Sequence, residues 1–133
     1  MSATATAPLA ELRAGLLRLH KRLLERERGQ YQREHGPVES QHALLGLLLS
    51  HPQFQWLRAL SELIVNVDEA LEDEFTTPDI AQALFEEAHD LLAFVTPANE
   101  FQTRYAEARD ADPDVLVDSS TLYRLLRSDT GAS

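Results

Sequence analysis

A chain of 133 residues has the length of one domain and can enclose a single hydrophobic core. Its apolar fraction of 44% is too high for a disordered polymer, and the absence of cysteine removes disulfides, thiolate metal sites and thiol nucleophiles. A formal charge of −10 opposes nucleic-acid binding, which is driven by cationic side chains displacing phosphate counterions.

The charge is unevenly spread. Residues 1–34 carry seven basic residues (Arg13, Arg18, Lys21, Arg22, Arg26, Arg28, Arg33) and four acidic ones, for +3; residues 35–133 carry five and eighteen, for −13. Such a dipole favours docking of the first helix onto the acidic body of its own chain or onto an antiparallel partner. The opening MSATATAPLA has neither the basic start nor the apolar run of a secretory signal, and the run LLGLLL is far shorter than a membrane span. A cytoplasmic protein without membrane contact is the expectation.

In chain order, Met1–Pro8 reads as a flexible N-terminus, 9–128 as the folded domain and 129–133 as a flexible C-terminus. Apolar periodicity and helix punctuation predict helices at about Leu9–Glu34, Ser40–Leu49, Pro52–Glu72, Pro78–Val95, Pro97–Ala108 and Ser120–Arg127. Pro52, Pro78, Pro97 and Pro113 each follow a residue able to cap or end a helix, and Gly36-Pro37 stops the first one. Only Val115-Leu116-Val117 has strand character, and a lone strand has no partner for its backbone; residues 113–119 stay unassigned. The fold class is therefore all-α, a single bundle of five or six helices, with the third helix central and the first and fourth beside it.

In the first helix the stripe is Leu9, Leu12, Leu16, Leu19 and Leu23, and the last two turns, where Glu27 and Tyr31 occupy inward positions, leave the core. The third helix is the most amphipathic. Trp56, Leu57, Leu60, Leu63, Ile64, Val67 and Leu71 share one arc, which places Trp56 in the core. Phe54, Ser61, Val65 and Asp68 form a flanking ridge that touches a second neighbour or a partner. In the fourth helix Ile80, Ala81, Leu84, Phe85, Ala88, Leu91, Leu92 and Val95 face inward while Phe94 points away. The fifth, with only Phe101, Tyr105 and Ala108, is a lid.

Two Glu-x-x-His pairs, Glu39–His42 and Glu86–His89, have the i, i+3 spacing of carboxylate-bridged di-iron bundles, with Glu25 or Glu27 and Glu62 or Glu69 as the remaining nominees. Helical phase opposes this, because Glu39 and Glu86 fall on the solvent side of their helices. No metal site and no cofactor are expected. No serine sits on a nucleophile turn, no glycine loop cradles phosphate, and no calcium loop lies in the acidic run from Glu62 to Asp118. A helix-turn-helix reading fails because Arg58 is the only basic residue on the third helix. His20 is the one histidine inside an apolar stripe, and Glu27 and Tyr31 follow it on the same face. Together they are the candidate polar site. His35 reads as a helix C-terminal residue and His51 as a cap.

The segment Phe54–Glu69, FQWLRALSELIVNVDE, together with Leu19-His20-Lys21, Tyr31…Glu34-His35-Gly36, Tyr105 and Asp112-Pro113-Asp114-Val115, resembles a family of small bacterial all-helical proteins. The resemblance spans most of the chain and implies a compact helical domain. It brings no activity, cofactor or catalytic residue with it.

The expected function is a non-enzymatic structural or protein-interaction domain, acting as a homodimer or with a protein partner. Its contact surface would include Phe54, Val65, Arg18 and Arg22. The alternative is a small-molecule- or metal-binding bundle with a polar site near His20.

Overall fold

The computed structural model describes residues 3–129, which form seven α-helices and, among the described residues, no strand. They are α1 (Ala3–His35), α2 (Gln41–Ser50), α3 (Pro52–Gln55), α4 (Arg58–Glu72), α5 (Pro78–Leu92), α6 (Glu100–Ala111) and α7 (Pro113–Asp129). The expected frayed ends at residues 1–2 and 130–133 lie outside the described residues. The first helix starts earlier than Leu9, at Ala3, and contains Pro8.

Caps set the helix boundaries. Ser40 Oγ accepts from Ala43 N at 3.0 Å, His51 Nδ1 from Gln53 N at 3.1 Å, Thr77 Oγ1 from Ile80 N at 3.3 Å and Asn99 Oδ1 from Gln102 N at 2.8 Å. Each satisfies an N–H that helix geometry leaves without a partner. Gly36 ends α1 at φ 92°, in the left-handed region where glycine carries no Cβ penalty.

Other boundaries also differ from those read in the sequence. The third helix is two, α3 and α4, because Trp56 (ψ −21°) and Leu57 (ψ −11°) tighten into a turn. The fifth expected helix starts at Glu100 instead of Pro97, because Asn99 supplies the cap. Residues 113–119, strand-like by their valines, are helical: Asp112 Oδ1 accepts from Asp114 N at 2.9 Å and starts α7 at a proline whose missing N–H costs nothing there.

The centre of the bundle is α1, not α4. It packs against α3, α4, α5 and α7, and its stripe Leu9, Leu12, Leu16, Leu19 and Leu23 is fully buried. Facing it are Leu60, Leu63 and Val67 of α4, Ala88 and Leu92 of α5, and Val115, Leu122 and Leu126 of α7. Gly15 lets α7 approach closely, since a Cβ there would lie 2.6 Å from Leu122 Cδ2. A smaller cluster of Val38, Leu44 and Phe54 lies under Tyr31, Leu47 and Leu48.

On α5, Ala81, Leu84, Phe85, Ala88 and Leu92 are buried as expected, but Ile80 and Val95 are exposed. The helix ends at Leu92, Ala93 leaves helical geometry, and Phe94 turns inward to pack edge-on against Tyr105. The basic head does dock onto the acidic body: Arg13 pairs with Asp68, and Arg22 with Asp118 at 3.0 Å.

Candidate functional site

The last turns of α1 wall a polar cleft instead of leaving the protein. Glu27 is only 8% exposed. Its Oε1 accepts from Trp56 Nε1 at 3.0 Å and from Arg104 at 3.5 Å, and its Oε2 accepts from Gln53 Nε2 at 3.1 Å. A buried carboxylate is tolerated because these donors replace the lost water. Gln53 reaches it from α3 and Trp56 from the turn between α3 and α4. Arg104 reaches over from α6, its guanidinium 5.8 Å from the Trp56 ring centroid. Above this floor the cleft, ≈ 400 Å³, is bordered by Arg26, Arg33 and Glu34 of α1 and Glu107 of α6.

The three residues expected to form one polar site fall into three neighbourhoods along α1. His20 is half-buried and contacts Ser61 Oγ at 2.8 Å. The Ser61 hydroxyl also reaches the Leu57 carbonyl at 3.2 Å, and which partner of the His20–Ser61 pair donates follows the His20 tautomer. Burial lowers the His20 pKa from its ordinary 6.5. Glu27 belongs to the cleft. Tyr31 lies on the other flank among rings, with centroids 4.5 Å from His35, 5.3 Å from His51 and 5.8 Å from Phe54.

Among the residues nominated for an interaction surface, Phe54 is fully buried and unavailable to a partner. The turn at Trp56–Leu57 rotates it away from the α4 ridge and into the cluster beneath Tyr31. Ser61 and Asp68 of that ridge are engaged by His20 and Arg13 of α1, so the ridge is largely an internal contact. Val65 remains 51% exposed. Arg18 is exposed, whereas Arg22 is committed to Asp118.

A surface the sequence reading passed over lies on α2. Leu45 is 50% and Leu49 73% exposed, beside a groove lined by Leu48, Leu49, Gln55, Arg58 and Ser61. Its signal was present: five leucines in ten residues spread over about 200° of α2, a wider arc than one neighbour buries. Also unforeseen is a polar network between α6 and α7. Tyr105 donates to Ser119 Oγ at 2.6 Å and meets the Tyr123 hydroxyl at 2.9 Å; Arg109 donates to Tyr123 at 2.6 Å, and Tyr123 donates to the Leu92 carbonyl at 3.1 Å. Burial raises the Tyr105 pKa far above its ordinary 10, which keeps the phenol neutral.

Glu39 and Glu86 are exposed, and among the described residues no three His, Asp or Glu side chains gather into a metal-sized group. No helix among the described residues is long and apolar enough to cross a membrane. Comparison with known proteins finds no matching protein family, no similar characterised protein and no similar solved structure.

Proposed function

We propose that this protein is a non-catalytic, self-associating helical domain whose contact surface is the outer face of α2. One observation carries the reading. Half of the helix is leucine, yet only Leu44 is buried, leaving Leu45 and Leu49 half to three-quarters exposed. A helix of that composition is ordinarily covered on all sides. The groove beside it, and Val65 one turn beyond Ser61 on α4, extend the apolar surface.

The occupant is a second copy of the chain. No Asp or Glu occurs from Ser40 to Ser61, the longest acid-free run in a chain of charge −10. Two acidic molecules approach with least repulsion there. A two-fold arrangement uses the same patch on both copies and needs no complementary partner charge. Gly46, on the exposed face with nothing within 4 Å of where a Cβ would sit, leaves room for the two helices to come close. A cytoplasmic location and kinship with the bacterial helical family that the Phe54–Glu69 segment resembles belong to the same proposal.

Light scattering on a sizing column tests it. Wild type at about 100 µM should run at twice the 14.9 kDa chain mass, and Leu45→Glu/Leu49→Glu at the single mass with unchanged helical circular dichroism. The gentler Leu45→Ser/Leu49→Ser pair guards against unfolding. A wild-type monomer, or a dimer that both pairs leave intact, would overturn the proposal.

A further inference from the structure

The cleft between α1 and α6 carries an inference independent of the α2 surface. Its border is balanced in charge: Arg26, Arg33 and Arg104 against Glu27, Glu34 and Glu107. In a chain of charge −10 such an even local balance departs from the overall acidity. The balance is not achieved by mutual pairing. Arg104 is 3.5 Å from Glu27, but Arg26 and Glu107, which line the cleft from different helices, have no hydrogen bond or ion pair among the described residues. Arg33 and Glu34 are tied to Gln30, at 2.7 Å and 2.8 Å, and Glu34 also lies 3.9 Å from His35, so neither is paired across the cleft.

The floor has spare capacity as well. An ionised carboxylate oxygen accepts about two hydrogen bonds. Glu27 Oε1 has its two, from Trp56 and Arg104, whereas Oε2 has only the one from Gln53. That leaves one acceptor site on a carboxylate that is 92% buried and lines the cleft.

We infer that this cleft binds a small zwitterion of free amino-acid type, its ammonium group on Glu27 and Glu107 and its carboxylate on Arg26 and Arg33. A simple anion would face three carboxylates and a simple cation three guanidiniums, whereas a ligand bearing both charges meets each with its opposite. Arg26 and Arg33 are about 10 Å apart along the helix, close enough for two long side chains to converge on one carboxylate. The volume of ≈ 400 Å³ suits a molecule of that size. The cleft has few apolar walls, so small or polar side chains are preferred.

Trp56 is the only tryptophan and touches both Glu27 and Arg104, so its fluorescence reports occupancy directly. The probes are free L-serine, L-glutamine and L-glutamate, with sodium acetate and ethylammonium chloride as the separated halves. At least one amino acid should give a saturable change, matched by calorimetry, with an affinity at least about tenfold above either half. Arg26→Ala and Glu107→Gln alter exposed, unpaired side chains, leave the fold intact and should each weaken that affinity about tenfold. Absence of a saturable response up to about 10 mM, equal binding of the halves, or undiminished binding by both variants would overturn the assignment.

Discussion

Trp56 and Glu27, 29 residues apart, are joined by a hydrogen bond from the indole Nε1 to Oε1 at 3.0 Å. The bond fixes the tail of α1 against the turn where α3 gives way to α4, and the indole ring packs on Phe101 at 5.7 Å between centroids. Trp56→Phe keeps an aromatic ring but withdraws the donor from a buried carboxylate, and should cost about 1–3 kcal/mol. Trp56→Ala also removes the packing and should cost about 3–5 kcal/mol. Urea unfolding followed by circular dichroism measures both. Equal midpoints for wild type and Trp56→Ala would remove the indole from the core.

His20 makes stability depend on pH. Its folded pKa lies below the unfolded 6.5, so between the two values the unfolded chain binds the proton more readily. The stabilisation is therefore full above pH 6.5 and is lost as pH falls through that window, with a slope of at most about 1.4 kcal/mol per pH unit. His20→Gln can still donate to Ser61 but does not titrate. Between about pH 7.5 and 5.5 wild type should lose more stability than His20→Gln, the other four histidines being common to both. Parallel pH profiles would contradict the placement.

Gly15 lies where α1 and α7 are closest. Alanine there gains about 1 kcal/mol of helix propensity. It must also displace Leu122, which is 1% exposed and has little room to yield. Overpacking costs about 1–3 kcal/mol, so Gly15→Ala should be neutral to destabilising despite its propensity. In a Leu122→Ala background the same change should become stabilising, since the obstructing atoms are gone. Additive effects in the double variant would place the helices further apart.

Tyr105 and Ser119 are both fully buried and hydrogen-bonded to each other. Tyr105→Phe leaves the Ser119 hydroxyl without this partner and should cost about 1–3 kcal/mol. Adding Ser119→Ala should cost less than that substitution does alone, because the orphaned hydroxyl is then removed. A thermal-melt cycle over the four proteins reads the coupling, and zero coupling would break the network.

Much of the fold was legible because it depends on local periodicity. The stripe Leu9–Leu23, the core arc of α4 and the burial of Trp56 all follow from apolar spacing alone. What was not legible depends on turns and long-range partners. The turn at Trp56–Leu57 separates α3 from α4, and Phe54 is buried there, where an unbroken helix would leave it on the flank. Residues 113–119 looked strand-like because valine favours strands, but Asp112 and Pro113 act together as a helix start. Of the candidate polar site, Glu27 was found from its position in the stripe. Its partners Gln53, Trp56 and Arg104 come from other helices, and no pattern within α1 announces them.

Self-association requires α2 to meet a second copy of itself, and a disulfide probe reads that contact directly. The chain has no cysteine, so Gly46→Cys introduces a single thiol on the exposed face of α2, and Thr103→Cys introduces one on α6 as a control. Mild oxidation should convert the Gly46→Cys protein to a disulfide-linked dimer while the control stays monomeric. Equal cross-linking of the two, or none at position 46 under conditions where a free thiol reagent reacts there, would contradict the account.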